Sequence, residues 1–524
     1  MFREMKRIFS IVCLAAAAAT MMAVPAKRGA ILRTAEDGTQ KEVYLHGDEH
    51  FHFMTDAEGN WLDEKTLKTL SAEQKEARLD AGIEAKARRA AQPRKVGTEL
   101  NLAPRGLIIL AQAKDVKFTT PFDTLKNMLT GDHFTRHYDY NYVYNSHRYK
   151  GTVNSSGSAK QYFNDQSWGQ YQPVFDVVGP VTASKNMEYY GQDDDVYASD
   201  LIEEACRLAD SEFDVDFTLY DNDDDGEVDF VYVIYAGYGA ADGGGENTIW
   251  PHSSSLWNVK LDNKYIGKYA CSNELNFTDK QYAGIGTFCH EFSHVLGLPD
   301  FYATNNATHH TLGDWDIMDY GPYNNEGNTP PAYSAYERFF MGWLTPRVLT
   351  EPESVWLGKL NPDTTALLMC EGDSHNMDGL NPNPKTFYML ENRALMDWDA
   401  CIPGAGLLIT KVTYNRNKWS SNTVNNSSSS MGVDIMEAKT NNTRFGAATD
   451  VYPAGAKAFT KFTDHEITNI ELDEHGSITF SYRGAEKTPI EQVETGHSAQ
   501  KIVRDGQVLI LRGDKIYDLN GLQL

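Results

Sequence analysis

GIGTFCHEFSHVLGLPDFY, residues 284–302, decides how this chain is read. His290 and His294 are four residues apart, so on a helix both rings leave the same face and can reach one metal ion. Glu291 follows the first histidine and can bridge to a metal-bound water as a general base. Gly297 suits a left-handed helix terminator, and chain reversal there brings Asp300 under the metal as a third ligand. Three protein ligands plus a water is the composition of a catalytic zinc site, because structural zinc sites fill all four places. A helix carrying two surface histidines is a poor rival, since Glu, Gly and Asp also stand at the required offsets.

Strands and helices alternate around this stretch. GLIILAQA at 106–113 reads as a buried strand, SDLIEEACRLADSEF at 199–213 as an amphipathic helix, and EVDFVYVIYAG at 227–237 as a second buried strand. The expected class is therefore α/β (α+β) over 101–345. After about 346 the texture changes to short runs such as TFYMLENR, GAGLLITKVTY, KAFTKF and SITFSYR, separated by Asn, Ser, Gly and Pro. That spacing predicts a β-sandwich-like domain over 346–483. A polar linker at 484–498 and a terminal hairpin over 499–524 follow.

The 524 residues carry 48 Lys plus Arg against 73 Asp plus Glu, a net charge of −25. That balance excludes a nucleic-acid binder and argues against docking on anionic membranes. The charge is partitioned: residues 27–105 hold 14 basic and 14 acidic side chains, and residues 106–524 hold 31 and 58. A neutral segment ending in the basic stretch KARRAAQPRK at 86–95 suits a removable pro-segment, 27–100, laid against an acidic body. Within it, 41–62 reads as hairpins, and 71–91 as a helix opened by a capping box of Ser71 and Gln74. Ahead of it, MFREMKR, the apolar run IFSIVCLAAAAATMMA and VPAKRG are the three parts of a secretory signal, residues 1–26, cut after Ala23 or Ala26. No later stretch is long and apolar enough to span a membrane. Of six cysteines, Cys13 leaves with the signal, and the other five contain no CxxC pair. Cys370 with Cys401 is the natural bridge, against buried free thiols.

HEFSHVLGLPD resembles the HExxHxxGxxD motif of the immune inhibitor A family of secreted bacterial zinc metalloproteases, which are related to the metzincins. VFDVVGPV, YDNDDDGEVDFVYVIYAGYG, NTIWPH and AYERFFMGWL extend the resemblance over roughly 100–345. It implies a metzincin-like domain in which His290, His294 and Asp300 hold zinc and Glu291 is the base. Glu337, His309 and His310 remain open as third ligands. DWDIMDYG at 314–321 resembles the Met-turn beneath metzincin zinc sites, with Met318 packing under the metal. Tyr320 then stands where some metzincins place a tyrosine that stabilises the oxyanion. The expected function is a secreted zinc endopeptidase made as a zymogen and acting on protein or peptide substrates. The alternative is a surface adhesin or glycan-binding protein whose protease domain is vestigial.

Asp221-Asn-Asp223-Asp-Asp225-Gly226-Glu-Val-Asp229 opens like an EF-type calcium loop, with oxygen donors at positions 1, 3 and 5, Gly at 6 and acid at 9. Tyr232 stands where the bidentate Glu of a full EF-hand belongs, so the expectation is a calcium-binding turn using Asp221, Asp223, Asp225 and Asp229. The glycines of AGYGAADGGGE at 236–246 lack the Lys-Ser/Thr of a phosphate loop and read as a bend over the cleft, near Trp250 and His252. The histidines of HGDEHFH at 46–52 alternate and read as ordinary polar faces. RDGQVLILRGDKIYDLNGLQL at the end of the chain resembles the sorting tails read by the type IX secretion machinery.

Overall fold

The computed structural model describes residues 23–48, 51–89, 103–144, 147–245, 247–256, 258–361, 366–440, 445–486, 500–504, 507–512 and 515–517. The expected signal sequence up to residue 22, most of the basic linker and most of the 484–498 linker lie outside them.

The N-terminal part is a meander of β1 (Ala30–Thr34), β2 (Gln40–Asp48), β3 (Phe51–Thr55) and β4 (Trp61–Leu62). Helix α1 (Ala72–Arg89) follows, and Ser71 and Gln74 close the expected capping box, Gln74 N–H donating to Ser71 Oγ and Ser71 N–H to Gln74 Oε1. The meander buries Ile31, Val43, Met54 and Leu62 in a small core of its own.

The central layer is a five-stranded sheet. Its strands are β5 (Arg105–Gln112), β8 (Val174–Thr182), β10 (Val231–Tyr238), β11 (His252–Ser255) and β14 (Lys268–Leu275), in the order β11-β14-β10-β5-β8. The inner strands run parallel, and β11 alone is antiparallel. Alternation along β5 and β10 sends successive apolar residues to opposite faces, which is why both strands read as unbroken hydrophobic runs. Leu107, Ile109, Val231 and Val233 meet Leu201, Ile202, Ala205 and Cys206 of a helix at Ala198–Phe213. Ile108, Leu110, Tyr232 and Ile234 meet Phe288, Phe292 and Leu296 of the helix Gly286–Val295. In chain order after α1, the remaining helices are α2 (Phe122–Thr130), α3 (Ala159–Gln166), α4 (Met187–Asp195), α5 (Ala198–Phe213), α6 (Gly286–Val295), α7 (Ala335–Phe340) and α8 (Arg416–Ser420). A hairpin of β6 (Thr135–Tyr144) and β7 (His147–Ser156) stands apart from the sheet, and β9 (Glu227–Val228), β12 (Lys260–Leu261) and β13 (Lys264–Ile266) form a small one beside it.

Between 346 and 486 the described residues form two further sheets. One has five strands, in the order β15 (Arg347–Val348), β17 (Leu367–Cys370), β18 (Thr386–Arg393), β19 (Gly406–Thr413) and β20 (Val433–Ile435). The other is antiparallel, β16 (Glu353–Leu357), β22 (Ile478–Tyr482) and β21 (Ile467–Leu472). Leu367, Met369, Leu390 and Ile409 of the first share a buried cluster with Val355, Ile467, Ile478 and Phe480 of the second. The opposite face of the five-stranded sheet, with Leu368, Phe387 and Leu408, packs into the same core as α6. A continuous core therefore joins this region to the central sheet. The C-terminal strands β23 (Gln500–Arg504), β24 (Gln507–Arg512) and β25 (Lys515–Tyr517) form an antiparallel meander, one strand more than the expected hairpin. Their sorting role stays an expectation from sequence.

One feature differs from expectation. Cys370 and Cys401 do not pair: Cys370 closes β17 with its thiol buried and directed to the Ser374 carbonyl, while Cys401 is exposed. Among the described residues no helix is long and apolar enough to cross a membrane.

Candidate metal centre and cleft

Helix α6 projects both histidines from one face into the interior, where His290 and Glu291 are fully buried and His294 nearly so. Gly297, at φ +109°, ends the helix as its position suggested. The turn that follows delivers Asp300, and its Oδ1 lies 3.2 Å from Nε2 of both His290 and His294. The two Nε2 atoms are 3.1 Å apart.

Each imidazole is oriented from behind. His290 Nδ1 is 2.7 Å from the carbonyl of Ile317, and His294 Nδ1 is 2.8 Å from that of Leu298. Those contacts place the ring protons on Nδ1, so two Nε2 lone pairs and a carboxylate oxygen converge with no proton between them. Oδ1 of Asp300 has no hydrogen-bond partner although fully buried. Ligands at ~2.0–2.1 Å from a tetrahedral zinc are about 3.3 Å apart, so the three donors fit that ion. The other donors the sequence left open are engaged elsewhere. Glu337 caps α7 through Ser334 N–H, His309 Nε2 faces the Asn425 carbonyl, and His310 Nδ1 faces Glu437.

Asn422 had no signal in the sequence. Its Nδ2 donates to Asp300 Oδ2 at 2.5 Å, and its Oδ1 accepts from the Asp300 N–H at 2.8 Å. This clasp fixes Asp300 with Oδ1 turned toward the histidines. It comes from just past α8, 122 residues away. Other ties from the region after 346 brace the same loops: Trp315 Nε1–H donates to Asp450, and Asn425 Nδ2–H to the Phe301 carbonyl.

Residues 23–28 run through the cleft in front of Glu291. Val24 N–H donates to Glu291 Oε1 at 2.9 Å. The Ala23 carbonyl accepts from the Tyr302 hydroxyl at 2.6 Å, the Val24 carbonyl from Trp250 Nε1–H at 2.9 Å, and the Pro25 carbonyl from the Tyr323 hydroxyl at 2.7 Å. Lys27 N–H donates to the Ala241 carbonyl in the glycine-rich loop that the sequence placed over the cleft. Tyr302 stands two residues beyond Asp300, a position that could have marked it. Met318 is fully buried in the cluster under α6, and Tyr320 packs its ring edge-on to Phe445 at 4.8 Å. Of the pro-segment histidines described, His46 bonds Thr55 and His52 stacks on Trp250.

The acidic turn is a separate site. Asp221, Asp223 and Asp225 bring carboxylate oxygens within 4.8 Å of one another. Asp229 faces Asn222 instead, accepting from its backbone N–H and its Nδ2. Lys264 Nζ reaches Asp221 at 2.5 Å and Asp224 at 3.2 Å, so part of the turn's charge is balanced within the protein.

A mixed sheet backing a helix with two inward histidines, an intervening glutamate and an aspartate closing the set defines the class of a metallopeptidase domain. Residues 105–344 match the family described as "Immune inhibitor A peptidase M6, catalytic domain", the family whose motif the sequence resembles. The chain is similar to the pre-pro-metalloprotease PrtV of Vibrio cholerae, at 27% identity over 217 residues, 35% of this chain and 23% of that protein. It is also similar to immune inhibitor A of Bacillus thuringiensis subsp. alesti, at 28% identity over 214 residues, 34% of this chain and 31% of the relative. The match thus spans less than a third of either relative's length.

Proposed function

We propose that the chain is a secreted zinc-dependent endopeptidase made as a zymogen, with a metzincin-like catalytic domain and a β-sandwich-like unit after residue 346. What carries this reading is the convergence of His290 Nε2, His294 Nε2 and Asp300 Oδ1 beside Glu291, with the chain's own residues 23–28 lying across them. A complete and converging donor set also speaks against a vestigial domain in an adhesin. Zinc held by these three residues supplies, when bound, Lewis acidity for the scissile carbonyl and a lowered pKa for a water. Glu291 takes the proton of the attacking water and returns it to the leaving nitrogen. Val24 N–H, in contact with Glu291 Oε1, stands where that nitrogen belongs. The carbonyl of the same peptide unit accepts from Tyr302, so we assign the first hydrogen bond to the developing oxyanion to Tyr302. Tyr320 keeps the role of a second donor that the resemblance implies.

Zymogen character rests on the clasp around residues 23–28, which fills the position a substrate needs; of the two signal cuts the sequence offers, this reading requires the one after Ala23, which leaves residues 24–28 in the cleft. The full chain should leave casein intact, and protein cut between the N-terminal meander and β5 should digest it. A zinc chelator should abolish that digestion and added zinc should restore it. Equal digestion before and after the cut would overturn the zymogen reading, and indifference to chelation would overturn the zinc reading.

Calcium at Asp221, Asp223 and Asp225 belongs to the same proposal as a brace for the turn before β10. Millimolar calcium is expected to raise the thermal midpoint of the chain by a few degrees. The rise should vanish in Asp223→Ala, and a wild-type midpoint indifferent to calcium would remove the ion from the account.

A further inference from the structure

The same segment that crosses the cleft also puts two basic side chains into two acidic pockets. Lys27 Nζ lies 2.9 Å from Glu326 Oε2, 3.1 Å from Asn276 Oδ1 and 3.1 Å from Thr278 Oγ1, with only 12% of its side chain exposed. Asp242 lines the same pocket; its Oδ2 accepts from Phe277 N–H, and its buried Oδ1 has no hydrogen-bond partner. Burial lifts the Asp242 carboxyl to about 6 against the pull of the Lys27 charge. Arg28 pairs with Asp314 and lies over the Phe445 ring, 4.6 Å from its centroid. Asp314 Oδ1 is also buried without a partner.

The direction of the segment is fixed by its contact with Glu291. In peptide hydrolysis the nitrogen facing the general base belongs to the first residue of the leaving fragment. Val24 N–H occupies that place, so Lys27 and Arg28 fall at the fourth and fifth residues of a leaving fragment. The groups that hold the backbone here, namely Trp250, Tyr323 and the Ala241 carbonyl, all belong to the peptidase domain and stay when the segment is gone. So do Asn276, Thr278, Glu326, Asp242, Asp314 and Phe445. Part-buried carboxylates left without a cation are costly, and an incoming chain that supplies Lys or Arg at those positions relieves the cost.

We propose that the cleft carries two subsites for basic side chains, one formed by Asn276, Thr278 and Glu326 and the other by Asp314 and Phe445. They select polypeptide substrates with Lys or Arg at the fourth and fifth residues beyond the cleaved bond. The inference rests on the peptidase reading given above and adds a substrate class to it.

The test is digestion of a peptide library of natural sequences by the processed, zinc-loaded protein, with cleaved bonds located by mass spectrometry and casein digestion run alongside. Lys and Arg should be enriched at the fourth and fifth positions. A peptide with Lys-Arg there should be cut with a kcat/KM about tenfold above its Glu-Glu counterpart. In Glu326→Lys the preference at the fourth position should turn to Asp and Glu while that at the fifth persists, which shows that the variant is folded. Asp314→Asn should erase the fifth-position preference alone. Casein digestion with no basic enrichment in the wild type would overturn the subsites and leave the peptidase reading standing. Absence of all digestion would overturn both.

Discussion

Glu291→Ala is expected to lower casein digestion by the processed protein about 10²–10⁴-fold while its zinc content stays at one per chain. The proposed metal donors are His290, His294 and Asp300; the histidines lean on the carbonyls of Ile317 and Leu298, and Asp300 on Asn422. Helix α6 tolerates the change, since Ala is the strongest helix former and the neighbouring helical positions are untouched. What disappears is a buried carboxylate beside the convergent donors, in contact with a peptide N–H. Glu291→Gln is the companion variant, because it keeps the shape and removes the basicity. If the loss comes from proton transfer, Gln and Ala should be similarly inactive and should share the wild-type zinc content. Undiminished cleavage by either variant would remove Glu291 from the mechanism, and a loss of zinc would reduce its role to structure.

The parts of this site that could be read from sequence are those written in short-range periodicity. A spacing of four puts His290 and His294 on one helical face, a glycine stops that helix, and the third donor follows within six residues of the second histidine. The same holds for β5 and β10, whose apolar runs are long enough to require burial on both faces, and for α5, whose amphipathic stripe matches its packing. Two kinds of information were not local. Strand order is one: β11 joins the sheet antiparallel at its edge, and nothing in HSSS marks it as a strand. Long-range polar contacts are the other. Asn422 sits between Ser421 and Thr423 with no periodicity to mark it, and its partner is 122 positions away. Residues 23–28 read as the end of a signal sequence and the start of a neutral segment. Their small and basic side chains fit that reading, yet they also fit the cleft.

The contact between Asn422 and Asp300 leads to the second large effect: Asn422→Asp should weaken zinc binding about 10–100-fold, the usual penalty for removing a group that orients a ligand. Asp is a cleaner test than Ala here. Asn422 has φ +53°, a left-handed backbone that Asn and Asp tolerate and Ala resists, so Ala would mix backbone strain with loss of the contact. Asp preserves size and backbone preference, and it turns the Nδ2 donor into an oxygen facing Asp300 Oδ2. Two carboxylates then meet in a buried site, which forces Asp300 to swing or one of the pair to take up a proton. Either response turns Oδ1 away from the 3.2 Å contacts it makes with both histidines. The measurement is a zinc titration against a chromophoric chelator, with the spectrum of cobalt-substituted protein reporting the ligand geometry. Far-ultraviolet circular dichroism and thermal midpoint are followed in parallel. Weaker zinc binding and an altered cobalt spectrum with the fold intact would place part of the metal centre in the region after residue 346. That would explain why the region shares a core with α6 and ties down Phe301 and Trp315. Unchanged affinity and spectrum would reduce Asn422 to a loop contact and leave Asp300 held by the turn after Gly297 alone.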